Sequence, residues 1–410
     1  MQMELRKKPH ILFANTTFLK IWLAGCLSSL AISMYVLIEQ WYIVHYLRMP
    51  RLLGLAMMAT TVPRVVFMAF GGVMADRYKK KVIIGWSLLA RVGLLVFMSG
   101  FFHLGILHFT FLCLFALLFG SLDAFFWPAR DALLPSVLDQ HQLQSANAFV
   151  QTTNQLSTVL GPVLASLLLS HVSYPIIFLS IALMLAVGAL FMYTVNEPIQ
   201  KDHLSTRATF IASLLEGQRY VRQSAYLKTV MLTFIVTNFF FVGPLMISIP
   251  LYGEEVYGGK SLILSLLQSS FASGMVAGAI GIGILNIRTH RGAAVIGLIG
   301  TEGGLLILYS QWTVLTCSIV SLFLIGVCIS CVNIIVISQM QQRVPKDKIG
   351  RVMSLNTMVS MGLIPVSYGV VSLLLNGAVS LTILLTCAGM FIIALCTWLW
   401  RYGVAIRGMQ

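Results

Sequence analysis

Charged side chains are scarce in this 410-residue chain, at 10% of the total, where soluble globular domains carry about 25%. Acids are scarcer still, 13 Asp and Glu against 27 Lys and Arg, while 58% of the residues are hydrophobic. That balance excludes a water-soluble fold. It also makes nucleic acid an unnecessary explanation for the formal charge of +14, because basic residues that flank apolar runs are what orients a membrane protein. Metal and cofactor chemistry is equally unsupported. No H-E-x-x-H and no paired Cys/His ligand spacing occurs. Gly259-Lys260-Ser261 ends like a phosphate loop, but Glu254 stands where the leading glycine would be. Gly278, Gly281 and Gly283 follow no strand, and with Gly274 they suit a helix-packing face. No catalytic constellation remains, so an enzyme is not expected. The seven cysteines (Cys26, Cys113, Cys317, Cys328, Cys331, Cys387 and Cys396) all lie in apolar segments and read as small hydrophobes rather than disulfide partners. Cys328 and Cys331 form C-x-x-C on such a segment, where packing explains them. The opening MQMELRKKPH is basic without an apolar core, so a removable signal peptide is not expected and the first helix itself would serve for targeting.

Long apolar runs are what the chain does have. A spanning helix takes about 20 apolar residues, and such runs predict helices near 17–46, 52–75, 82–102, 109–134, 143–170 and 174–195, then 227–251, 261–285, 292–310, 312–337, 351–375 and 378–400. The expected fold is an all-α membrane protein with twelve transmembrane helices in two six-helix halves. The halves are 1–195 and 226–410, joined by a linker at 196–225. Phe210, Ile211, Leu214, Leu215 and Val221 give that linker an amphipathic helix for the membrane face.

Between the second and third runs the chain reads GGVMADRYKKK from Gly71 to Lys81. Its basic cluster places this turn, and both termini, in the cytoplasm. On that topology only Arg48, Arg51 and Lys260 lie outside, and Arg64 and Arg91 lie at membrane depth. The order Gly72-x-x-x-Asp76-Arg77-x-x-Lys80-Lys81 resembles the loop signature of the major facilitator superfamily, with Lys79 where that family usually has glycine. Further stretches are similar to its drug- and siderophore-exporting branch, the one that includes macrolide-efflux-like and enterobactin-exporter-like proteins. They are Pro128 to Phe149, EGQRYVRQ from Glu216, and QMQQRVPKDKIGRVMSL from Gln339. On the fifth predicted helix Ser157-x-x-x-Gly161-Pro162 resembles the antiporter motif, which also reads simply as a kinked packing seam. A matching turn in the second half, NIRTHRG from Asn286, keeps basic charge but has no acid.

Ionisable residues at membrane depth are costly and are functional candidates by default. Five stand out: Glu39, Arg64, Arg91, Asp123 and Glu302. The resemblance implies that the first, fourth, seventh and tenth helices line a central cavity, which makes Asp123 and Glu39 the acids to exchange a coupling proton. Depth favours Asp123, with Phe125, Phe126 and Trp127 as an aromatic wall for substrate. The competing reading is a set of fixed salt bridges, Glu39 with Arg64 or Asp123 with Arg91. Glu302 falls on a supporting helix and is expected to have a structural partner. At the inner end, Gly72, Asp76, Arg77, Lys80, Lys81 and Asp131 would form a conformational lock, with Lys80 meeting Asp131 and Asp76 facing the start of the eleventh helix. The resemblance therefore implies a proton-coupled antiporter of the cytoplasmic (inner) membrane. It would export an amphipathic small molecule, a drug-like compound or a siderophore, by alternating access, as a monomer in the lipid bilayer without cofactor or metal. A lipid or lysophospholipid flippase and a non-transporting membrane sensor of the same fold are the alternatives.

Overall fold

The computed structural model describes residues 15–138, 140–197, 218–285, 291–345, 348–377 and 379–403. The basic N-terminal decapeptide, the linker positions Phe210 to Leu215, most of the NIRTHRG turn and the side chain of Asp76 lie outside the described residues. The chain is helical almost throughout. Its elements are α1 (Thr16–Trp41), α2 (Leu53–Arg77), α3 (Lys80–His103), α4 (Phe109–Val137), α5 (Gln140–His171), α6 (Tyr174–Tyr193), α7 (Ala225–Thr237), α8 (Gly243–Glu255), α9 (Ser261–Leu285), α10 (Arg291–Gln311), α11 (Leu315–Arg343), α12 (Ile349–Gly362), α13 (Ile364–Asn376) and α14 (Leu381–Tyr402).

Local chemistry sets the starts and breaks. Asn15, Ser224 and Ser380 accept from the backbone N–H three residues on, opening α1, α7 and α14. α7 and α8 form one span interrupted by a π-helical turn at Asn238–Val242. Pro244 follows it, and a proline ring clashes with the carbonyl four residues back, which widens the ladder there. Pro365 stands just after the break between α12 and α13. Among the described residues, eleven helices are long and apolar enough to cross a membrane. α5, the predicted fifth, has the length at 32 residues but is too polar to count by composition. Its polar face is used in packing: Thr153 accepts from the Trp22 indole at 2.9 Å, and Asn154 accepts from Ser29 at 2.8 Å.

The chain forms two compact units. One comprises the described parts of Met1–Leu47 and Ala59–His203, the other those of Arg48–Met58 and Leu204–Gln410. The division falls inside α2, four residues before Pro63, whose missing N–H leaves the Ala59 carbonyl without its helical partner. Corresponding helices pack alike in the two units. α3 packs on α4 and α6 as α10 packs on α11 and α14, and α1 packs on α5 as α7 and α8 pack on α12 and α13. That correspondence is the structural form of an internal repeat.

Small residues let paired helices meet backbone to backbone. In the second unit Gly278 faces the Val327 carbonyl and Gly274 the Phe323 carbonyl, whereas Gly281 and Gly283 face open space. In the first unit Gly71 lies under the Ala124 carbonyl and Gly120 under that of Thr60. Gly72 of the signature has nothing within 4 Å of a Cβ. Gly120→Ala is therefore expected to destabilise the protein by about 1–3 kcal/mol, since the added methyl meets a rigid carbonyl. Gly72→Ala should stay within about 0.5 kcal/mol of the parent. Unfolding midpoints of the purified variants check both.

Candidate functional site

The centre of the first unit holds a charge cluster built by four helices. Asp123, from α4, is fully buried and accepts from three donors. Arg91 Nη1 of α3 lies 3.0 Å from Oδ1, Arg64 Nη2 of α2 lies 2.8 Å from Oδ2, and the Trp127 indole donates to Oδ2 at 3.1 Å. Arg91 is itself fully buried. It donates to the Ser87 carbonyl at 3.2 Å, and its guanidinium stands over the rings of Phe119 and Phe126 at 5.6 and 5.3 Å. Arg64 is the open member, its side chain 35% exposed.

Glu39 of α1 faces Arg64 and Thr60. It is 5% exposed, and its Oε1 has no hydrogen-bond partner among the described residues. Tyr35, one helical turn earlier, stacks on Phe119 at 4.3 Å with its hydroxyl buried and turned towards Glu39. The four groups expected to matter are thus brought together, with an asymmetry the spacing did not reveal. Asp123 has both arginines, and Glu39 keeps an uncommitted oxygen. With both acids ionised the cluster is neutral.

The aromatic residues after Asp123 have other duties than those expected. Phe126 is buried beneath Arg91, Trp127 bonds Asp123 and carries Arg130 at 4.4 Å, and Phe125 packs against Phe67 at 6.3 Å. Phe126 and Trp127 position the charges. An indole spaced four residues after a buried acid on one helix was the available signal for Trp127.

At the end of the unit where α2 turns into α3, the signature lies mostly within helix ends. Lys79 has φ −58° and ψ 119°, a conformation open to any residue, so the usual glycine is not needed. Arg77 is exposed. Lys80 and Asp131, expected to meet, have other partners. Glu197, just after α6, accepts from the backbone N–H of Lys80 and of Lys81, both at 3.0 Å, and its Oε1 lies 3.9 Å from Lys80 Nζ. Lys81 Nζ donates to the Val195 carbonyl at 2.8 Å. Asp131 instead pairs with its neighbour Arg130 at 2.7 Å. The reason is physical: the first turn of α3 offers unpaired N–H groups and the positive end of a helix, and a carboxylate carried there by α6 satisfies both. In α5, Ser157 is buried, Gly161 packs against Ser33 and Met34 of α1, and Pro162 follows within the helix.

Among the described residues no group of three or more His, Cys, Asp or Glu could hold a metal ion, and all seven cysteines are free thiols.

Known proteins resemble this chain in sequence and fold. Macrolide efflux protein A of Enterococcus faecalis is 25% identical over 302 residues, 72% of this chain and 91% of that protein. Its Streptococcus pyogenes counterpart is 25% identical over 67% of this chain and 68% of that one. The staphyloferrin A transporter of Staphylococcus aureus is 22% identical over 57% and 58%. A nucleoside transporter structure superposes with a TM-score of 0.72 at 12% identity, covering 94% of this chain and 99% of that one. A D-xylose-proton symporter gives 0.70 at 11% identity over 94% and 97%. The Major Facilitator Superfamily model matches residues 21–368. With its helical repeat, its spans and its buried charge cluster, this multi-pass membrane chain belongs to the Major Facilitator Superfamily of secondary transporters, not to the enzymes.

Proposed function

We propose that this protein exports an amphipathic small molecule, of drug or siderophore type, in exchange for protons across the cytoplasmic (inner) membrane. The observation that carries the reading is the unpartnered carboxylate oxygen of Glu39 beside an Arg64–Asp123–Arg91 cluster in which both arginines are paired with Asp123. A proton arriving on Glu39 changes the charge of the cluster without breaking any of these pairs. Similarity to macrolide and staphyloferrin A transporters supports the substrate class.

In this reading both termini are cytoplasmic, the protein works as a monomer, and the halves 1–195 and 226–410, joined by 196–225, alternate access between them. Gly72, Asp76, Arg77, Lys80 and Lys81 contribute to holding one conformation. Glu197 fixes Lys80 and Lys81 within that set. Ser157, Gly161 and Pro162 form the α1–α5 seam that accompanies export.

The test is purified protein in vesicles with an imposed pH gradient, offered a macrolide, an iron-free siderophore or a lysophospholipid. Substrate-dependent proton movement with accumulation of the macrolide or siderophore is expected. Lysophospholipid movement alone, indifferent to the gradient, would replace this reading with a flippase. Silence towards all three ligands would count against export of this class.

A further inference from the structure

The second unit contains a buried acid that the charge cluster of the first unit does not use. Glu302, in the middle of α10, is 3% exposed. Its Oε1 has no hydrogen-bond partner, and no ion pair among the described residues includes it. A structural partner was expected for it. The side chain instead lines a cavity of about 60 Å³ between α7, the π-helical turn, α10 and α11. That space exceeds the roughly 10–15 Å³ needed to admit one water.

The polar groups around this cavity are oriented in one sense. Thr233 donates its hydroxyl to the Thr229 carbonyl, Thr237 donates to Thr233, and the Asn238 amide donates to Phe234, each at 2.8 Å. A hydroxyl whose hydrogen is spent on the backbone presents only lone pairs elsewhere, whereas an amide that spends one hydrogen keeps the other alongside its carbonyl oxygen. Thr233 and Thr237 thus leave acceptor oxygens beside the Glu302 carboxylate, and the amides of Asn238 and, from α11, Asn333 each add a carbonyl oxygen together with an N–H. The remaining wall is apolar, with Phe234, Phe241 and Ile299 among it.

A space edged by these oxygens and one carboxylate suits a ligand that carries one positive charge. The π-helical turn beside it adds a second pointer, since such interruptions mark functional sites and discontinuous membrane helices are where transporters hold ions. We propose that Glu302, with Thr233, Thr237, Asn238 and Asn333, binds a small monovalent cation inside the second unit. Its charge comes either from a dehydrated alkali ion or from the ammonium end of an organic amine. The site belongs to the unit that does not contain Glu39 and does not depend on which acid carries the coupling proton.

The full-length protein, purified in choline chloride, is titrated with NaCl, KCl or methylammonium chloride at constant ionic strength. The unfolding midpoint and radiotracer sodium binding are read together. A saturable rise with one of the three cations is expected, weakened at least tenfold in Glu302→Gln and severalfold in Thr237→Val, which keeps the shape but removes an acceptor. A response to Na⁺ or K⁺ assigns the alkali ion, and a response to methylammonium alone assigns the amine. Should Glu302→Gln fail to fold, Thr237→Val decides. No response beyond choline in the parent protein, or an unchanged response in the folded variants, overturns the proposal.

Discussion

Asp123→Asn is expected to cost about 3–5 kcal/mol and to reduce the yield of folded protein sharply, because it strips the counter-charge from a fully buried arginine. The amide keeps the volume and can still accept from the Trp127 indole, so packing is not the cause. The loss arises because Arg91 has no exposure through which to regain water, and its remaining contacts, a carbonyl, a hydroxyl at 3.5 Å and two ring faces, supply no full charge. Arg64 suffers less, since its side chain is 35% exposed. The double variant Asp123→Asn with Arg91→Met separates this account from a purely catalytic one. Removing both charges should recover most of the stability lost in the single variant. If Asp123→Asn unfolds at the parent midpoint, the ion pairs do not hold the unit together. Midpoints and size-exclusion profiles of the two purified variants make the comparison.

Much of this architecture was readable because lipid imposes a simple code. Spanning helices must be long and apolar, and the predicted run of residues 261–285 matches α9 (Ser261–Leu285) to the residue. Where composition was mixed, legibility fell. α5 reads as polar because Thr153 and Asn154 satisfy α1 rather than lipid. The eleventh predicted run is divided at Leu363, just ahead of Pro365. The charge cluster was legible as a set of residues, since each ionisable group at membrane depth announces itself. Their partnerships were not, because they depend on how four helices are rotated about their axes. Arg64 could reach either acid, and the packing of Gly120 beneath Thr60 and of Gly71 beneath Ala124 settles which face of α2 meets α4. Glu197 was missed for a different reason: it lies outside the helices, just after α6, far along the chain from the α3 turn that it caps.

Glu39→Gln is expected to abolish uphill transport while leaving the fold and substrate binding close to those of the parent. Depth along the helix favoured Asp123 as the coupling acid, but the structure gives Asp123 two arginines and an indole. A proton delivered there must break two ion pairs, both no longer than 3.0 Å. Glu39 asks for no such rearrangement, because its Oε1 is unpartnered and its nearest cation, Arg64, is already committed to Asp123. Protonating Glu39 would raise the cluster from neutral to a net positive charge, felt first by the partly exposed Arg64. That is a signal of the kind that can bias a conformational equilibrium. One proton exchanged per substrate across a gradient of one pH unit supports roughly a tenfold concentration ratio, since about 1.4 kcal/mol corresponds to a factor of ten. In vesicles the parent protein should approach that ratio, and Glu39→Gln should equilibrate its substrate at a ratio of about one. Binding of the same substrate to the purified variant should stay within about twofold of the parent. A variant that still concentrates substrate against its gradient would remove Glu39 from the coupling step and return that role to another group of the cluster.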